Sequence, residues 1–191
     1  MLEYLVFVAA FASLLAAAVY IRSMFKGNTL PNRVTWLMWS IAPLIATAAA
    51  VSNGVDWAVL PVFMAGFCPL LIFISSFFTR KAYWALSKLD YLCGVLSGFA
   101  LVFWYVTQEP NLAIALAITS DAFAAFPTLI KTWRNPQTES VWPYLIGIFS
   151  PLTSFAAASA WNFSELAFSV YLTIMNCLLV TSVYHKKLFA H

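Results

Sequence analysis

The sequence predicts an all-α membrane protein: seven transmembrane helices as two parallel three-helix bundles joined by an inverting linker helix. Three observations carry that prediction. The composition is too apolar for a soluble domain, the cations segregate to one side, and the two ends of the chain echo each other. Of 191 residues, 63% are hydrophobic and 9% charged, with a mean hydropathy of +0.85, whereas a soluble domain carries about 25% charged residues. Runs such as "LVFVAAFASLLAAAVYI" lack the alternation of barrel strands, and helices satisfy their own backbone in lipid.

Seven apolar stretches come near the length of about 20 residues that crosses a bilayer. They fall at 3–21, 34–52, 57–78, 89–107, 111–131, 141–160 and 163–185. The first begins with Glu3 and no cation, unlike a cleavable signal peptide. The second and sixth each carry a mid-helix proline, Pro43 and Pro151. Cys68, Cys93 and Cys177 lie in the third, fourth and seventh without metal-ligand spacing, and read as small hydrophobes in packed helices. The short connections leave no room for a soluble domain.

Threading seven spans puts all ten Lys and Arg residues on one side. Arg22, Lys26 and Arg33 flank the first loop, and Arg80, Lys81 and Lys88 the third; Lys131 and Arg134 belong to the fifth, and Lys186 and Lys187 follow the last span. Glu3, Asp56, Glu109 and Glu165 mark the other side. The positive-inside rule then predicts an outside N-terminus and a cytoplasmic C-terminus, in the plasma (inner) membrane if the source is bacterial. Anionic lipid accounts for the cations, so the bilayer is the expected partner and nucleic acid is not. Aromatic residues read as interfacial belts: Tyr20, Trp36, Tyr83, Trp84, Trp133, Trp142 and Tyr184 on the inner face, Tyr4, Trp57, Trp104 and Trp161 on the outer.

A shift of 108 residues lays "PLIATAAAV" from Pro43 over "PLTSFAAAS" from Pro151, Lys26 over Arg134, and Trp36 over Tyr144. Identity is low, but topology agrees: spans 1–3 and 5–7 both start outside, with span 4 inverting the chain between them. The expected organisation is a first repeat at 1–78, the linker helix with its flanking loops at 79–110, and a second repeat at 111–191. Parallel repeats are a known transporter plan, with substrate held near the midplane between the halves.

Between spans 5 and 6 lies "FPTLIKTWRNPQTES". Its segment 127–140 resembles the PQ-loop motif, with Pro127, Leu129, Lys131, Arg134, Thr138, Glu139 and Ser140 at matching positions and Thr128 replacing the motif's Gln. Pro143 resembles a second proline of the SWEET sugar transporters. The resemblance is therefore to the SWEET and PQ-loop transporter superfamily. It implies prolines that act as gate hinges at the cytoplasmic mouth, and it matches Asn176 to a substrate-binding Asn whose first-half counterpart here is Cys68. The first copy has Val19 and Thr35 in place of Pro127 and Pro143, and alanine runs occupy the family's Trp positions. A sugar pocket is thus not inherited residue by residue.

Asp121 sits in the middle of span 5, where a carboxylate costs a few kcal/mol and is tolerated facing a cavity or partner. Ala117, Ala124, Ala125 and Thr128 share its helical face, a small-residue stripe suited to a packed interior. With no cation at that depth, the group either takes and releases a proton or is a protonated carboxyl bonded to Ser120, Asn176 or a backbone carbonyl. Asn176, with Thr173 and Ser169 on roughly its face, either bonds substrate or ties helices together. The expected pocket comprises Asp121, Asn176, Thr173, Ser120 and Cys68. Pro43 and Pro151 serve either as hinges beside a cavity or as static bends. Asn53, Asn111 and Asn162 sit at outer helix ends, where capping is the default.

His185 and His191 lie far from Asp121, and no metal pattern, nucleophile elbow or phosphate loop is present. Neither catalysis nor a cofactor is expected. The leading expectation is a transporter of a small polar solute, such as a sugar or an amino acid, alternating access around a central pocket and proton-coupled through Asp121. An uncoupled sugar facilitator and a non-transporting seven-helix receptor or adaptor are the alternatives. A homo-oligomer is compatible with any of them.

Overall fold

The computed structural model describes residues 4–79, 84–107 and 109–188. Glu3, Arg80, Lys81, Tyr83 and His191 lie outside the described residues, as do the side chains of Trp104, Lys186 and Lys187. The described chain forms α1 (Leu5–Phe25), α2 (Arg33–Ser52), α3 (Leu60–Ser75), α4 (Lys88–Thr107), α5 (Pro110–Arg134), α6 (Trp142–Ala157) and α7 (Phe163–Leu188), with single 3-10 turns flanking α3 and preceding α6. The protein is all-helical, and five of its helical segments are long and apolar enough to cross a membrane. They are Leu5–Phe25, Arg33–Ser52, Trp57–Phe78, Pro110–Arg134 and Phe163–His185.

Local chemistry sets the boundaries. Asn32 caps α2, its Oδ1 accepting from the amides of Val34 (3.1 Å) and Thr35 (3.3 Å). Prolines open α3, α5 and α6, where a missing N–H costs nothing. Gly27 and Gly54 follow α1 and α2 with φ of 79° and 81°, the left-handed conformation that ends a helix.

The predicted span 141–160 is longer than α6, which has 16 residues, or about 24 Å at 1.5 Å per residue. The helix stops because Ala158 turns extended and the next amides are claimed from outside. Glu165 Oε1 accepts from Ser159 N (3.2 Å) and Oε2 from Ala160 N (2.8 Å).

Packing relations close a ring in the order α1–α3–α2–α5–α7–α6 and back to α1, with α4 outside against α5. Small residues allow the close approach of α2 and α5: Ala42, Ala46, Ala49 and Ala50 pack in one cluster with Ala113 and Ala117. Thr35 Oγ1 donates across this seam to Ala124 O (2.9 Å) and receives from Thr128 Oγ1 (3.0 Å).

The loops that carry cations are joined at one end of the ring. Leu30 N donates to Thr138 O (3.0 Å), Arg33 to Ser76 O (2.6 Å), and Asn32 Nδ2 to Asp90. At the opposite end Asn53 Nδ2 donates to Ser164 Oγ (2.8 Å), which donates to Asn111 Oδ1 (2.7 Å). Asn162 behaves as an N-cap, its Oδ1 accepting from Glu165 N (3.0 Å), whereas the Asn53 and Asn111 side chains cross-link helices.

The aromatic belts are corrected in part. Tyr4, Trp57, Trp133, Trp142 and Trp161 are exposed as expected, but Tyr20 and Trp36 are buried. Tyr20, Trp36, Trp39 and Tyr144 form an internal chain of rings with successive centroids 4.8, 5.3 and 6.2 Å apart. The two tyrosines turn inward because their hydroxyls have a buried acceptor, Glu139.

Candidate functional site

The ring encloses a cavity of about 100 Å³ lined by residues of α1, α2, α3, α5, α6 and α7. Its walls are largely apolar, with Trp36, Met64, Tyr144 and Leu172 among them, and Asp121 is the one charged residue that lines it. Asp121 is 2% exposed. Its Oδ2 accepts from the Tyr171 hydroxyl at 2.7 Å, and its Oδ1 has no hydrogen-bond partner. The partner is thus Tyr171 and none of those expected from the sequence, which were Ser120, Asn176 and a backbone carbonyl. Ala117, Ala124, Ala125 and Thr128 of the same helix are buried.

Two further polar atoms of lining residues are buried without a partner: the Trp39 indole Nε1 and the Ser150 hydroxyl. A buried polar group left unbonded costs about 1–3 kcal/mol. Three such atoms around one cavity mark a surface prepared for hydrogen bonding.

Asn176 also lines the cavity, with Nδ2 donating to Leu172 O of its own helix (2.8 Å). It fits because residue 147 is glycine: a Cβ there would stand 2.4 Å from Asn176 Oδ1. Cys68 lines the opposite part of the ring, on α3. Thr173 and Ser120 do not join the lining, and Thr173 Oγ1 instead donates to Ser169 O one turn back (2.9 Å). Of the hinge candidates, Pro143 and Pro151 border the cavity, while Pro43 and Pro127 are buried in their helices away from it. Pro61 and Pro69 of α3 also line the cavity, and neither had a signal in the sequence beyond its residue type.

The 108-residue shift acquires geometric content here. Ser13 and Asp121, Trp36 and Tyr144, Trp39 and Gly147, Met64 and Leu172, and Cys68 and Asn176 are pairs in that register, and both members of each line the cavity.

At the cation-bearing end, the motif 127–140 closes on itself. Lys131 and Glu139 form a buried salt bridge, their side chains 1% and 0% exposed. Lys131 Nζ also donates to Leu30 O and stands 5.0 Å from the Trp84 ring centre. Glu139 Oε2 accepts from Tyr20 (3.0 Å) and Tyr144 (3.1 Å). Thr138 Oγ1 bonds Asn135 O (2.8 Å), and Arg134 is exposed. Sequence reading counted Lys131 among the cations that anionic lipid accounts for; the structure instead buries it against Glu139 and a loop carbonyl.

No family model, curated protein or solved structure matches the chain. The resemblance to the SWEET and PQ-loop superfamily therefore assigns no family, and function rests on the cavity.

Proposed function

We propose that the protein is a membrane transporter of a small polar solute, working by alternating access around the central cavity. The observation that carries this reading is the cavity itself: a space between six helices, lined by a buried carboxylate and by two further residues that carry buried, unpartnered polar atoms. On this reading the chain has seven spans in a 3+1+3 arrangement. Equivalent neighbours in the ring support it, since α1 meets α6 as α5 meets α2, while α4 lies outside the ring. The repeat pairs on the cavity wall support it further, as do the exposed apolar residues of α4, such as Leu92, Val95, Phe99 and Val106, which suit a lipid-facing helix.

In this reading the cluster of Lys131, Glu139, Tyr20 and Tyr144 holds the cation-bearing mouth shut, because Tyr144 belongs both to the cavity wall and to the cluster. Opening that mouth separates the two tyrosine hydroxyls from Glu139. Asp121 provides the coupling, since a proton on its carboxyl neutralises the charge in the cavity.

Uptake into liposomes containing the purified full chain tests the proposal, with labelled hexoses, amino acids and small amines as probes and with or without an imposed pH gradient. The expected result is uptake of one class, accelerated by the gradient, with the acceleration abolished in Asp121→Asn. Gradient-independent uptake unchanged by that substitution would leave a facilitator. Saturable binding of solute without uptake would leave the receptor reading.

A further inference from the structure

The chemistry of the cavity narrows what it can hold. Asp121 is the single charged lining residue, it is buried, and the hydroxyl of Tyr171 is its one hydrogen-bond partner among the described residues. An ionised carboxylate in such a place calls for a positive charge within reach, and among the described residues no Lys or Arg lines the cavity. Aromatic faces stand around it in Trp36, Trp39 and Tyr144, and such faces attract cations.

A bare cation leaves two groups unexplained. The Trp39 N–H can only donate, and the Ser150 hydroxyl can donate or accept. Together they ask for an oxygen acceptor on the occupant. An amino acid would supply that oxygen as a carboxylate, putting a second negative charge into a cavity whose other groups are neutral. A hydroxyl supplies the acceptor with no added charge.

Size completes the argument. A cavity of about 150 Å³ accommodates benzene with its six carbons, so about 100 Å³ scales to an occupant of about four non-hydrogen atoms. A hexose exceeds that, and a two- or three-carbon amine does not.

We propose that the cavity binds a short amino alcohol, its ammonium group on Asp121 and its hydroxyl between the Trp39 indole N–H and Ser150. This names the substrate class of the proposed transporter and rests on that reading for its physiological meaning. Ammonium and proton therefore exchange on one carboxylate, and with either bound the site crosses between access states without a net charge in the bilayer.

The test is binding, measured by calorimetry and thermal shift on the purified full chain at neutral pH. The probe is 2-aminoethanol, compared with ethylamine, ethylene glycol and glycine. Saturable binding of 2-aminoethanol is expected, with ethylene glycol and glycine weaker by about tenfold or more, the range of a lost charged hydrogen bond. Asp121→Asn should lose the amine by a similar factor, and Trp39→Phe, which keeps the aromatic face, should erase the preference for 2-aminoethanol over ethylamine. The ligand series on the unaltered protein needs no variant to fold. Equal binding of ethylene glycol, undiminished binding by a folded Asp121→Asn, or no saturable binding by either amine would overturn the proposal. The two readings fail separately. Amine binding in this pattern without counterflow in liposomes removes transport and keeps the ligand class, whereas counterflow of another solute without amine binding removes the ligand class alone.

Discussion

At the scale of single residues, two glycines separate packing from ligand chemistry. A Cβ on Gly66 of α3 would stand 2.8 Å from the Leu44 side chain and 2.9 Å from Ser40 O, which is backbone and cannot swing aside. Gly66→Ala should therefore push α2 from α3 and lower stability by about 1–3 kcal/mol, as overpacking does, visible as a lower thermal midpoint in detergent. A Cβ on Gly147 meets only the Asn176 amide, at 2.4 to 2.8 Å, and a side-chain end can rotate. Gly147→Ala should keep the midpoint nearly unchanged yet weaken binding in the cavity, because Asn176 leaves its place on the wall. If both variants lose stability equally, Asn176 is a packing residue. Asp121 and Asn176 were legible in the sequence because a polar side chain amid apolar helix is conspicuous. Trp39 and Ser150 were not, since residue type alone does not distinguish a tryptophan or serine on a cavity wall from one packed between helices. Tyr171 was hidden by distance: it stands 50 residues from the carboxylate it bonds.

At the scale of elements, the turn between α5 and α6 is the most consequential piece of irregular chain. The motif 127–140 stood out in the sequence by its prolines and charges, which named the segment without showing which charge meets which. Spacing alone left Lys131 with the cations ascribed to anionic lipid, and only the return of the turn brings Glu139 back to it. Breaking a buried ion pair by removing one partner costs about 3–5 kcal/mol, because the other charge remains uncompensated. Glu139→Gln should therefore destabilise the protein by about that amount, whereas Lys26→Ala, on an exposed cation of the same face, should fall within about 0.5 kcal/mol. Adding Lys131→Met to Glu139→Gln removes the stranded charge and leaves an acceptor for Tyr20 and Tyr144, so the double variant should recover most of the loss. Thermal unfolding of the three variants in one detergent decides it, and a double variant no better than the single one would mean that the charges do not act as a pair. Helix existence was legible throughout, because long apolar runs admit no other regular structure in lipid. Which face of each helix points inward was not, since lipid and core are equally apolar and leave little amphipathic pattern to read.

For the whole molecule, the question is which end of the ring faces the cytoplasm, and the charges of the loops yield a prediction. Leu30, Ser76, Asp90 and Thr138 are hydrogen-bonded to one another's segments at one end, so the connections bearing Arg22, Lys26, Arg33, Lys88, Lys131 and Arg134 share it. Asn53, Asn111 and Ser164 meet at the other end, near the exposed Asp56. Short loops rich in Lys and Arg stay on the cytoplasmic side during insertion, which predicts that the first of these ends lies inside. On the proposed transporter reading, the mouth closed by Lys131 and Glu139 would then be the inner one, and solute held in the cavity would reach the cytoplasm only after that cluster parts. Lys88 and Asp56 are both exposed and sit at opposite ends, so single cysteines there report the orientation directly. With the exposed Cys177 replaced by serine, a membrane-impermeant maleimide should label Asp56→Cys on intact cells and reach Lys88→Cys only after permeabilisation. The reverse pattern would turn the molecule over and make the Lys131–Glu139 cluster an outer gate. Labelling of both positions on intact cells would mean that they do not lie on opposite sides of the membrane, and would remove the seven-span arrangement from which the topology was argued.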